Sequence, residues 1–142
     1  MNKIQQKMRN EQREKMMAAI HEAAQAFVVI SLGGFARPKI WQNKAIGEPE
    51  KSWLGTCELL TAPPISDWKP LVGLAGLVAE CIASNTLDTI EIAAKIQDRI
   101  DSQAVSDSDL ALMHGYTNED IERVTEMLLF NWDEIAFDAK WL

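Results

Sequence analysis

The stretch AAIHEAAQAFVVISLGG, residues 18–34, begins in alanine-rich sequence and ends on two glycines. Alanine and its straight-chain neighbours favour a helix, and glycine tolerates the left-handed backbone that stops one. Met16, Ile20, Ala24, Phe27 and Val28 fall at helical spacing and give that helix one apolar face. The reading is a helix from about Asn10 to Leu32, ended by Gly33 and Gly34. On it His21 and Gln25 project one turn apart from the same face, with Glu22 beside them.

Downstream the period changes. FARPKIWQ (35–42) reads as a strand in which Phe35, Arg37, Lys39 and Trp41 alternate against Ala36, Pro38 and Ile40. NKAIGEPEKS (43–52) is a turn-rich connection, and SWLGTCELL (52–60) is a second strand. The pair makes a small antiparallel sheet, and Pro38, lacking an amide hydrogen, argues for an edge position. APPISDWKP (62–70) breaks the chain, and Pro70 suits the first turn of a new helix.

The remainder reads as helices. LVGLAGLVAECIAS (71–84) is apolar throughout apart from Glu80, and Gly73, Ala75, Gly76 and Ala79 permit close approach of another helix. A carboxylate in such a segment needs a partner, either a Lys or Arg or the His21 ring. LDTIEIAAKIQDRI (87–100) keeps Ile92, Ile96 and Ile100 in register. SDSDLALMHG (106–115) is a short helix with Ser106 or Asp107 as cap and Gly115 as stop. A last helix starts at Thr117, whose spacing to Asp120 resembles a capping box. Ile121, Val124, Leu128, Trp132, Ile135, Ala139 and Leu142 carry its periodicity to the end of the chain. The class is mainly α with a small antiparallel β-sheet (α+β).

Composition narrows the functions open to such a chain. Its 142 residues suit one domain, and 47% hydrophobic with 25% charged residues is ordinary globular composition. No apolar run approaches the roughly 20 residues of a membrane span. The first 15 residues hold five Lys/Arg against two acids, without the apolar core of a signal peptide. From Glu80 onward fourteen acids face four bases, and a net charge of −7 makes nucleic acid a poor partner. Cys57 and Cys81 stand outside any metal-type spacing, which fits reduced thiols and a cytoplasmic protein. Five tryptophans read as core and rim anchors, and the acids from 119 to 138 as the wet face of the last helix.

Two histidines at i and i+4 grip one zinc ion, and a glutamate beside the first takes a proton from the metal-bound water. Here the second position is Gln25, whose neutral carbonyl is a poor zinc donor. A lone helical histidine is ordinarily a hydrogen-bonded structural residue. The other histidine, His114, ends a short helix, where it is either a dipole partner or a substitute for Gln25.

The segment AAIHEAAQAFVVISLGG nevertheless resembles the start of the peptidase domain of FtsH-type AAA zinc metalloproteases, in which a sequence like ALHEAGHAVVALLLG carries both histidines. PKIW followed by WLGTCELL is similar to that family's strand pair. LAGLVAECI (74–82) looks like its LAGRAAEEL helix, and SDSDLALM (106–113) resembles the segment that supplies an aspartate as third ligand. The likeness runs in order over residues 15–142, with no ATPase module before it and residues 1–14 as a basic segment forming or leading into the first helix. It departs at Gln25 and in the longer interval filled by residues 87–100. The resemblance implies an FtsH-peptidase-like helical domain with a degraded zinc site at His21, Gln25 and Asp109, and Asp88 or Asp107 as alternatives to the last. Glu22 is its general base if it is active.

The expected function is a metallopeptidase-like, non-catalytic relative that binds a peptide or protein partner and holds no cofactor. The alternative is a zinc metallopeptidase using His21, Glu22, Asp109 and a nonstandard ligand. A homo-oligomer, built on the edge strand or the last helix, is compatible with both.

Overall fold

A computed structural model describes residues 2–44 and 51–142 of the chain. Helix α1 spans Lys3–Ser31, strands β1 and β2 span Phe35–Gln42 and Trp53–Thr61, and α2 spans Trp68–Ala83. Then come α3 (Thr89–Asp101), α4 (Asp107–Leu112), α5 (Asn118–Phe130) and α6 (Trp132–Lys140). The described residues are mainly helical, with one two-stranded antiparallel sheet.

Helix α1 begins well before Asn10, because Asn2 and Gln5 form a reciprocal capping box that satisfies the first free amides. The basic segment is therefore the opening of α1, not a separate leader into it. Burial starts only at Ala19 and runs to Val29, so Met16 lies exposed on the unpacked part of the helix. Gly33, at φ +98°, ends it as expected. β1 and β2 pair from Phe35↔Thr61 to Gln42↔Trp53, with a register shift beside Phe35 and Pro38 opposite Cys57. With two strands both are edge strands, so Pro38 breaks no inner ladder. Of the turn-rich connection, residues 45–50 lie outside the described residues.

Buried apolar side chains from α1, α2, α3, α5 and α6 join in one cluster, and α2 lies at its centre with eleven buried residues. Trp68 and Lys69 precede Pro70 in α2, whose missing amide hydrogen is harmless in a first turn. Gly73 admits α4, since a Cβ there would stand 2.7 Å from the Met113 amide nitrogen. Asp88 caps α3, accepting from the amides of Ile90 and Glu91 at 2.8 and 3.2 Å. Ser106, rather than Asp107, caps α4.

The expected last helix is two helices. Asn131 turns its side-chain amide onto the Met127 carbonyl at 2.8 Å and ends α5, while the apolar period continues across the break. The tryptophans line the rim and none is fully buried: Trp41 and Trp141 are exposed, and Trp53, Trp68 and Trp132 are half-buried. Cys57 and Cys81 are free thiols. Among the described residues no helix is long and apolar enough to cross a membrane.

Candidate functional site

The middle of α1 crosses α2 and faces β2 and α4, and a cleft of about 900 Å³ opens there. Met17, Ala18, Trp53, Leu54, Trp68 and Val72 supply apolar wall, and His21, Glu22, Glu80 and Asp109 form its polar floor. Two glycines make the floor possible. A Cβ at Gly76 would overlap the His21 ring, so the ring lies flat on the α2 backbone. A Cβ at Gly55 of β2 would stand 2.7 Å from Glu22 Cγ. Gly76→Ala is therefore expected to destabilise the fold by about 1–3 kcal/mol or more, read by chemical denaturation, because neither ring nor helix has room to retreat.

His21 is held at both nitrogens. Its Nδ1 lies 2.9 Å from Glu80 Oε2 and its Nε2 lies 3.0 Å from Asp109 Oδ2. Two carboxylates on opposite ring nitrogens call for a hydrogen on each, which is the imidazolium. Burial alone would lower the His21 pKa, but the bonds to Asp109 and Glu80 and the charges of Glu80 and Glu22 outweigh it and raise it to about 10. Both partners respond. Burial pushes the Asp109 and Glu80 carboxyls up, yet the His21 bond and charge overcome that and leave each below its ordinary value.

Glu80, the one carboxylate of α2, has both kinds of partner that its position calls for: His21 and the guanidinium of Arg99, 2.9 Å from the same oxygen. Asp109 is fixed by a third helix. Ser106 caps its amide at 3.2 Å, and Gln25 donates its side-chain amide to Oδ1 at 2.8 Å and to the Val72 carbonyl at 3.3 Å. Gln25 thus presents hydrogens, not a lone pair, toward the aspartate. Glu22 Oε1 stands 3.8 Å from His21 Nε2, and its buried Oε2 has no hydrogen-bond partner among the described residues. Burial, opposed by His21 and reinforced by Asp109 and Glu80, raises the Glu22 pKa to about 7.

The structure therefore brings His21, Glu22, Gln25 and Asp109 together and leaves the alternatives elsewhere. Asp88 is occupied as the α3 cap, Asp107 is exposed in the first turn of α4, and His114 is exposed beyond that helix. None of these three lines the cleft. The donor set does not suit zinc as it stands: the His21 lone-pair position carries a proton aimed at Asp109, and Gln25 turns its NH₂ inward. Among the described residues no group of three His, Cys, Asp or Glu side chains is arranged to hold a metal ion.

The sequence alone does not point to Arg99, Gly55 or Gly76 as parts of this floor. The small-residue pattern of α2 marks Gly76 only as helix packing, and nothing near Gly55 or Arg99 in the chain points at a residue tens of positions away. No model of a known protein family matches this chain, and no curated protein matches it either.

Proposed function

We propose that the protein is a metallopeptidase-like binding module, related in architecture to FtsH-type peptidase domains, whose zinc site has become a buried ion-pair network. It holds an extended peptide or an unstructured protein segment in the cleft, against the edge strand β2. The observation that carries this reading is the saturation of His21 by Glu80 and Asp109, beneath a cleft that remains open. An edge strand offers main-chain hydrogen bonds to an added strand, and the apolar wall offers side-chain pockets. A cytoplasmic setting accompanies the reading, supported by the two free thiols.

One observation favours the second reading, a zinc metallopeptidase: Glu22, His21 and Asp109 do converge, and among the described residues one Glu22 oxygen has no partner. Metal analysis of protein prepared without chelators separates the two. The expected result is little or no zinc, together with saturable binding of extended peptides that substitutions at Trp53 weaken. Near-stoichiometric zinc would overturn it, and Glu22→Gln would then retain the metal and abolish hydrolysis, since the lost group is the base.

Without metal, the same substitution has another consequence. The ionised Glu22 is destabilising because its folded pKa exceeds its unfolded one, so stability falls as pH rises from about 4.5 through about 7. Glu22→Gln is expected to stabilise the protein by about 1–3 kcal/mol at pH 8 and by much less at pH 5. Denaturant melts at the two pH values check this, and an equal effect at both would show that Glu22 carries no such penalty.

A further inference from the structure

Two surfaces lie outside the cleft and are left uncovered by the fold. The first is the opening of α1. Ile4 and Met8, one turn apart, are 73% and 57% exposed, and Lys3 and Lys7 run beside them at the same four-residue step. The second is the outer face of α6. Its inner side, Ile135 and Ala139, is buried, but Phe137 and Trp141 are 59% and 77% exposed. Their rings pack edge to face at 6.2 Å. Helical spacing puts Asp133 on one flank of this aromatic pair and Glu134 and Asp138 on the other.

The faces match in kind. One is a pair of aliphatic and thioether side chains edged by lysines. The other is a pair of aromatic rings edged by carboxylates. Lys3, Lys7, Asp133, Glu134 and Asp138 take part in no ion pair among the described residues. Methionine and aromatic rings attract at short range, and opposite charges around an apolar centre set orientation. The exposures also show that the two faces do not cover each other within one chain. A helix of 29 residues is too stiff to fold its first turns back onto a neighbour.

We infer that the chain self-associates, the first turns of α1 in one copy docking on the Phe137–Trp141 face of α6 in a second. A reciprocal, two-fold arrangement uses each pair of faces twice and closes the assembly as a dimer. The charge division of the chain, basic in its first 15 residues and acidic after Glu80, is what makes a second copy the matching occupant. None of Ile4, Met8, Phe137 and Trp141 lines the cleft, so this interface stands independently of what the cleft binds.

Sedimentation equilibrium across a hundredfold range of concentration tests it. The expected result is a monomer–dimer equilibrium that weakens at high salt, because the rim charges are exposed and screened. Ile4→Glu with Met8→Glu, and separately Phe137→Ser with Trp141→Ser, are each expected to weaken the dimer about tenfold or more. All four positions are exposed, and circular dichroism confirms that the variants stay folded. Lys3→Glu with Lys7→Glu should also weaken it, and adding Asp133→Lys with Asp138→Lys to the same chain should restore it. A monomer at every concentration, or a dimer indifferent to these changes, overturns the proposal. So does failure of the charge exchange to restore association, since a partner on any other face would not notice it.

Discussion

Gln25→His is expected to give the protein a zinc site by a single change. The new ring would leave α1 one turn after His21 and on the same face, toward an aspartate that already stands 2.8 Å from the Gln25 amide. Asp109 supplies an anionic donor, and Glu80 stays on His21 Nδ1, where a carboxylate orients a ligating imidazole. The ligands ride on helices that are formed already, so little ordering cost opposes binding. What opposes it is the proton on His21. With its pKa raised to about 10, zinc must displace that proton, and affinity should rise about tenfold per pH unit below that value. At a hundredfold excess of zinc over its Kd, binding adds about 2.7 kcal/mol, a gain of roughly 5–10 °C in Tm for a domain of this size. Zinc titrations of variant and parent, followed by melting, read the difference. Equal gains in both proteins would show that residue 25 does not create the site, and no gain in either would show that the network round His21 does not admit zinc.

The parts of the fold that were legible in the sequence are those whose signal is local. The Gly33–Gly34 stop, the alternation in FARPKIWQ and the Thr117–Asp120 cap each depend on residues a few positions apart, and each element lies where its signal stands. The start of α1 is illegible for the opposite reason. The apolar period gives out above Ala19, and only the Asn2–Gln5 cap and ordinary propensity carry the helix further. The break at Asn131 is hidden because burial follows the period through it, while the break itself comes from one side chain competing for a backbone carbonyl. In the candidate site, a carboxylate in an apolar helix announced that Glu80 had a partner, since an unpaired buried charge is too costly to keep. The proximity of Asp109 to His21, 88 positions apart, came from a resemblance in the order of short motifs, not from spacing. The room made by Gly55 and Gly76 had no local signature, because the groups that need it are on another helix.

His21→Ala is expected to cost about 3–5 kcal/mol near pH 6, more than any surface change in the chain. The ring is the cation between Asp109 and Glu80, and without it two mostly buried carboxylates face each other with Glu22 as a third. Arg99 still reaches Glu80, and Gln25 still reaches Asp109, but neither replaces a charge at the midpoint. A packing role alone would give a cost independent of pH. The ion-pair role does not. His21 has a folded pKa near 10 against an ordinary 6.5, so its stabilisation is fully present below about 6.5 and is lost as pH rises through about 10. The carboxylates, held below their ordinary values, contribute above about pH 4 and lose that contribution in stronger acid. The gap between parent and variant should therefore be widest at about pH 5–6 and close as the solution passes pH 10. Denaturant midpoints of the pair at matched pH values measure the gap directly. A gap that stays constant to pH 11 would reduce His21 to a packed ring and remove the basis for treating the floor of the cleft as a charge network.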